Sequence, residues 1–426
     1  MYFQTKLSQG LRLITVPVKN AESVTIEVLL PIGSRYETKD LNGASHFIEH
    51  MMFKGTKRRP SALLVAKELD SLGARYNAFT SKDHTGYWIK AVDNKTEKAF
   101  DILSDMVFNS VFDKEEFEKE KKVILEEIKM YEENPLLHIE DMFEKVLFGS
   151  HPLGWLVSGD MPTVQKMSQQ KLMAYKEKFY QPNQMIVVVA GNIKNQEAIK
   201  LVKKYFGAYQ GKKNKTDFSL FKNEEKKHWP KANILFKDTN QVQIALGGLG
   251  YSYHHRDLEA ASVLSLILGG NMSSRLFTEI RVKRGLAYFV EMELGVYQDT
   301  GSFEIRAGVD KNRTEETLKV ILEELNKIKK QGASKEELTR AKDYIEGTMK
   351  LSFEESATLA SWYGRQLLLV GKIITPKEKL KKIKMVSQSD IQRIANQLFK
   401  NKNLNLAMIG PFKENRQFLR ILQDEI

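Results

Sequence analysis

The chain has no cysteine. That excludes disulfides, thiolate nucleophiles and every zinc site built on sulfur, so any metal must be held by nitrogen and oxygen. Nor is there an uninterrupted apolar run of about eighteen residues, the least that a membrane-crossing helix requires. The stretch MYFQTKLSQGLRLITVPVKN lacks the basic start, continuous apolar run and small-residue cleavage site of an export signal, so a soluble cytoplasmic protein with no membrane partner is the expectation. Histidine is scarce, with eight in 426 residues.

Apolar residues at 42% and aromatic residues at 10% suffice for buried cores, and the length implies at least two domains. Lys and Arg (66) exceed Asp and Glu (54), giving a net charge of +12. The basic residues are scattered among acids and not interleaved with aromatics in any nucleic-acid-binding motif. A solvated lysine-rich surface is expected, and no nucleic-acid partner.

Strand-like runs (LRLITVPV, SVTIEVLLPI, GYWIKAV) alternate with helical ones early in the chain. One helix is expected from the capping residue Ser61 to Gly73. Another opens at Asp113 with an Asp-x-x-Glu capping box and stops at Asn134-Pro135. The class is therefore α+β. Residues 209–230 are polar, charged and aperiodic, which puts a linker at 213–230 between an N-terminal domain, 1–212, and a C-terminal domain, 231–426.

The halves resemble each other. DLNGASHFIEHMM from Asp40 lies against DLEAASVLSLILG from Asp257, and NQMIVVVAGNI against NKNLNLAMIGPF, with Gly191 opposite Gly410. A duplicated domain, each copy an antiparallel-rich sheet packed with helices, is the economical reading. In the second copy His46, Glu49 and His50 correspond to Val263, Leu266 and Ile267.

That triplet is where the chemistry lies. On a helix His46 and His50 share a face, with Glu49 beside them, while Ala44, Phe47, Ile48, Met51 and Met52 cover much of the rest. Burying two imidazoles and a carboxylate costs roughly 1–3 kcal/mol for each group left unsatisfied. His-x-x-Glu-His is the inverzincin pattern, in which two histidines bind zinc and the glutamate activates water. A catalytic zinc needs a third protein ligand and an open position. Without cysteine or a nearby third histidine, a carboxylate is expected. On the helix from Asp113, Glu120, Ile124, Glu127 and Tyr131 form one stripe, but pattern alone leaves Glu126 and Glu127 both open.

GASHFIEHMMFKGT, NAFTSKDHTGYW and EKEKKVILEEIKMYEENP resemble the pitrilysin-type inverzincin metallopeptidases over essentially the whole chain. The resemblance implies the processing-peptidase-like metallohydrolase fold, one Zn²⁺ per chain, and a third ligand 76 or 77 residues past the second histidine. Glu127 fits that spacing, Glu126 is the fallback, and Glu120 falls where the family supports its site from behind. By the same resemblance Asn77, Ala78, Phe79 and Thr80 form a strand edge that binds substrate. Arg281 and Tyr288, in EIRVKRGLAYFV, would contact substrate near the reacting carbonyl.

Short members of the family pair two chains to build a chamber. Retention of both signatures implies a homodimer with Arg281 and Tyr288 supplied in trans, and a zinc endopeptidase acting on unfolded peptides. The alternatives are a non-catalytic structural or substrate-holding subunit, or one chain of an obligate heterodimer. Gly269-Gly270 is expected to end a helix, and His84, His254 and His255 receive no role.

Overall fold

The computed structural model describes residues 1–212, 217–222 and 231–424. The expected helix starts are there: Ser61 Oγ accepts from Leu64 N at the head of a helix over Ala62–Ser71. Asp113 accepts from the N–H groups of Glu115 and Glu116. The capping box is only half made, because the Glu116 carboxylate is engaged by Lys119 instead of turning back.

Among the described residues eleven strands form two sheets. The first holds β1 (Phe3–Lys6), β2 (Arg12–Pro17), β3 (Ser23–Leu30), β4 (Arg75–Thr80), β5 (Thr85–Val92) and β6 (Ile186–Gly191), in the order β1-β2-β6-β3-β5-β4. The second holds β7 (Ala232–Phe236), β8 (Gln241–Leu249), β9 (Ala287–Val296), β10 (Gly301–Asp310) and β11 (Asn405–Gly410), in the order β7-β11-β8-β10-β9. Without β1 the two orders correspond strand for strand. Each has one parallel pair, β2 with β6 and β7 with β11, among antiparallel neighbours. Duplication is thus visible in topology, as the paired segments of sequence implied.

Two compact units result, and neither is a contiguous half. One comprises Met1–Lys129, Trp155–Ser219 and Lys350–Ile374, the other Met130–Gly154, Leu220–Met349 and Thr375–Ile426. The physical reason is the need to cover both faces of each sheet. On β3, Val24, Ile26, Val28 and Leu30 face the main core of the first unit, while Leu29 joins Ile14, Val16, Val188 and Ala190 on the opposite face. That face is covered by Ala360 and Tyr363 of the helix Ser356–Arg365. In the second unit Ile139, Met142 and Phe143 cover Ala245, Ala407 and Ile409.

Of the expected linker, residues 213–216 and 223–230 lie outside the described residues. Phe218 is packed, edge-on to Tyr36 and beneath the Arg35 guanidinium. Gly270 caps the helix Leu258–Gly269, so the glycine pair is a helix end. Among the described residues no helix is long and apolar enough to cross a membrane.

Candidate metal centre

Helix α1 (Ala44–Met51) buries Phe47, Ile48 and Met51 completely. This fixes its rotation and leaves His46, Glu49 and His50 along one edge. With α2 (Ala62–Ser71) and α3 (Thr96–Asn109) following, α4 (Lys114–Glu133) buries Phe117, Ile124 and Ile128. Phe117 stacks on Phe47, ring centroids 4.7 Å apart, and holds the two helices together. Glu120 and Glu127 are thereby turned toward the histidines.

His46 Nε2 and His50 Nε2 are 3.3 Å apart. Glu127 places Oε1 3.8 Å from the first and Oε2 3.5 Å from the second. Glu126, with its side chain 71% exposed, pairs with Lys129, so packing selects Glu127 from the two glutamates the pattern left open. Behind the cluster, Glu120 Oε1 lies 2.8 Å from His50 Nδ1 and Oε2 lies 2.5 Å from Lys54 Nζ. Thr80 Oγ1 donates to Glu49 Oε2 at 2.5 Å.

These separations suit a zinc ion. Zn–N and Zn–O bonds of about 2.0–2.1 Å arranged tetrahedrally put neighbouring donors about 3.3–3.4 Å apart. Two imidazoles and a carboxylate are also a donor set found at catalytic zinc, with a fourth position left open. His50 Nδ1 faces the Glu120 carboxylate, which leaves Nε2 as the ring nitrogen turned toward His46 and Glu127. Burial, and then the neighbouring His50, push His46 down to about 3, so its ring is neutral at ordinary pH. Its buried Nδ1 has no hydrogen-bond partner. No other group of three or more His, Asp or Glu side chains among the described residues is arranged to hold a metal.

Electrostatics separate the two inner glutamates. Burial raises the pKa of Glu49 above the usual carboxylate range, with the Thr80 hydroxyl opposing. Burial acts the same way on Glu120, but hydrogen bonds from His50 and Lys54 outweigh it and hold the carboxyl below that range.

Asn77, Ala78, Phe79 and Thr80 all lie on β4, the edge of the first sheet, paired only with β5. Arg281 and Tyr288 lie in the second unit. The Arg281 guanidinium, at the end of a π-helical turn over Phe277–Val282, sits 5.0 Å from the Phe277 ring centroid and 5.2 Å from that of Tyr288. Tyr288 is on the edge strand β9 and 74% exposed. His84 is buried with Nδ1 on Ser81 Oγ, and His255 stacks on Tyr251.

Sequence reasoning missed Lys54 and the tie between Thr80 and Glu49. Lys54 lies past the end of α1, in the turn that follows, and its partner Glu120 is far away in sequence, so no local spacing announces it. Nothing local links Thr80 to Glu49.

The chain is similar to known proteins over nearly its whole length. Residues 12–160 match the sequence model of Insulinase (Peptidase family M16), and residues 166–345 match that of the Peptidase M16 inactive domain. An uncharacterized zinc protease of Bacillus subtilis is 37% identical over 402 residues, covering 94% of this chain and 96% of the relative. A protease from Helicobacter pylori superposes with a TM-score of 0.92 at 26% identity, covering 96% of this chain and 99% of that one. A chain of complex III2 from Candida albicans superposes with a TM-score of 0.84, covering 99% of each, and at 16% identity shares the fold alone. Matched by both domain models in turn, and by a curated relative over almost its whole length, the chain belongs to peptidase family M16.

Proposed function

We propose that this chain is a cytoplasmic zinc endopeptidase that hydrolyses unfolded peptides, working as a homodimer whose two chains enclose the substrate. One observation carries the reading: His46 Nε2 and His50 Nε2, on the buried helix that also bears Glu49, lie 3.3 Å apart with a Glu127 oxygen 3.8 Å from the first and 3.5 Å from the second. The zinc-protease names of relatives such as that of Bacillus subtilis support it.

His46, His50 and Glu127 would hold the ion, one per chain, which when bound supplies Lewis acidity to a carbonyl oxygen and lowers the pKa of a water. Glu49 takes a proton from the attacking water and returns it to the leaving nitrogen. Its raised pKa suits both halves of that task, and the Thr80 hydroxyl fixes the orientation of the carboxylate. The edge of β4 accepts an extended peptide as an added strand, giving main-chain affinity with side-chain pockets for preference. Extended strands of this kind come from unfolded peptides. Arg281 and Tyr288 of the second chain stabilise charge developing on the carbonyl oxygen.

The test is cleavage of a quenched, unstructured peptide of about twenty residues by wild type and Glu49→Gln, with zinc content measured on both. Wild type should cleave and be stopped by chelation, whereas the variant should keep its zinc and not turn over. A zinc-loaded but inert wild type would instead support a non-catalytic subunit or an obligate heterodimer. Light scattering after size exclusion then tells an active dimer, near twice the chain mass of 49.0 kDa, from an inactive monomer that lacks its partner.

A further inference from the structure

Helix α1 begins without a cap of its own. Its N-cap is Gly43, at φ +96°, with no side chain to accept from the first turn. Nothing larger fits there, because a Cβ at Gly43 would stand 2.4 Å from Ser158 O. An uncapped first turn leaves N–H groups unpaired in a region where Ala44 and Ser45 are buried. The acceptor comes from outside the helix. Glu37, 4% exposed, accepts from Gly43 N and Ser45 N, at 2.7 Å each, and from Asn42 Nδ2 at 3.1 Å. It takes the N-cap N–H and an N–H of the first turn together, which a capping box achieves with two side chains.

Glu37 is itself held. In the turn before it, Arg35 is buried, with Nη1 on Asp83 Oδ1 at 3.0 Å, and the backbone N–H groups of Ser34 and Arg35 donate to Ser81 O and Lys82 O. That anchor is the turn directly after Thr80, whose hydroxyl holds Glu49. One short segment, residues 80–83, therefore fixes both the base and the acceptor that fixes the helix. Burial raises the Glu37 carboxyl to about 7 against the pull of the Ser45 and Gly43 N–H groups, so this position is costly to fill with an acid.

We infer that Glu37 is a positioning residue for the metal centre, an external cap that sets the first turn of α1 and with it the placement of His46, the next residue after Ser45; this rests on the zinc-peptidase reading above. It touches neither metal nor substrate and acts through two backbone N–H groups.

Glu37→Gln tests it, since an amide keeps the size but offers only one oxygen to two N–H groups. Zinc affinity is measured by chelator competition, geometry by the visible spectrum of the Co²⁺-loaded protein, and kcat and KM separately. Zinc binding should weaken about tenfold, the size of loss typical for residues that orient a ligand. The Co²⁺ bands should shift, and kcat should fall with KM little changed. Glu37→Asp, with both oxygens one methylene short, should recover part of the loss and serves if the glutamine variant does not fold.

Glu27→Gln is the control: Glu27 is an equally buried carboxyl, on β3, with no hydrogen bond to α1. Wild-type zinc affinity and Co²⁺ spectrum in folded Glu37→Gln would overturn the assignment. So would an equal loss in Glu27→Gln, which would assign the effect to general loosening of the domain. A wild type that itself fails to bind zinc refutes the peptidase reading before any variant is compared, and this assignment with it.

Discussion

Replacing Glu120 should weaken metal binding without touching a ligand. Its Oε1 accepts from His50 Nδ1 at 2.8 Å and its Oε2 meets Lys54 Nζ at 2.5 Å, in a residue 4% exposed. A hydrogen bond to a charged group contributes about 1.5–3 kcal/mol, and in Glu120→Leu the whole of it is lost from His50. That converts to a zinc dissociation constant about ten- to a hundredfold higher. Glu120→Gln should sit at the low end, because its one amide oxygen can face His50 only by turning the NH₂ toward Lys54. Lys54→Met should cost less than Glu120→Leu, because the His50 bond survives and only the partner of the second carboxylate oxygen is lost. Chelator competition on folded protein reads all three without any activity assay. If Glu120→Leu holds zinc within about twofold of wild type, the claim that Glu120 orients His50 is wrong. If Lys54→Met matches Glu120→Leu, the ammonium and not the imidazole is what Glu120 serves.

Thr80→Val removes the hydroxyl on Glu49 Oε2 and should lower kcat about tenfold with zinc content unchanged; unchanged kcat would leave Thr80 with no part in setting the base. Glu27 is buried with both oxygens unpartnered, and burial, opposed by Arg365, raises it to about 8 from 4.5. The folded state therefore holds a proton that the unfolded state has released above pH 4.5, and the stability this confers is present at low pH and lost as pH rises toward 8. Wild type should lose stability relative to Glu27→Gln across that window, by about 1.4 kcal/mol per unit at most, and urea melts at pH 5 and pH 8 with the same difference would refute it. Mixing Glu49→Gln and Arg281→Ala chains should restore about a quarter of wild-type activity, because half the dimers are mixed and each mixed dimer has one intact site of two. No recovery after exchange would mean that Arg281 acts within its own chain, and Arg281→Ala chains that are active by themselves would mean that it has no part in turnover.

What could be read from the sequence was what repeats or caps locally. Ser61 and Asp113 mark helix starts by side-chain chemistry that acts within three residues, and they do so in the structure. The run SVTIEVLLPI announced a strand, and the His46, Glu49, His50 spacing assigned three groups to one helix edge. The choice between Glu126 and Glu127 was not legible in the pattern. Adjacent residues on a helix are about 100° apart, and a stripe that holds Glu127 does not state which face meets the histidines; what decides is the stacking of Phe47 on Phe117 across two helices. The exchange of covering helices was illegible for a related reason. An amphipathic pattern states which face of Ser356–Arg365 is apolar, not which of two sheets it meets, and Leu29, Val188 and Ala190 of the first sheet are far from it in sequence.

The two copies of the domain show what the metal centre demands of its surroundings. The helix Leu258–Gly269 buries Val263, Leu266 and Ile267 where α1 carries His46, Glu49 and His50, and apolar packing alone suffices there. In α1 the polar groups are met one by one: Glu120 at His50, Thr80 at Glu49, and Glu127 opposite both imidazoles. Each partner is itself a buried or half-buried polar group whose cost is offset only by the group it meets, with Lys54 in turn balancing Glu120. The set is therefore coupled. Removing one member leaves others unsatisfied, so a copy that has lost the histidines has no physical reason to keep the rest, and the apolar solution of the second copy is where such a helix settles.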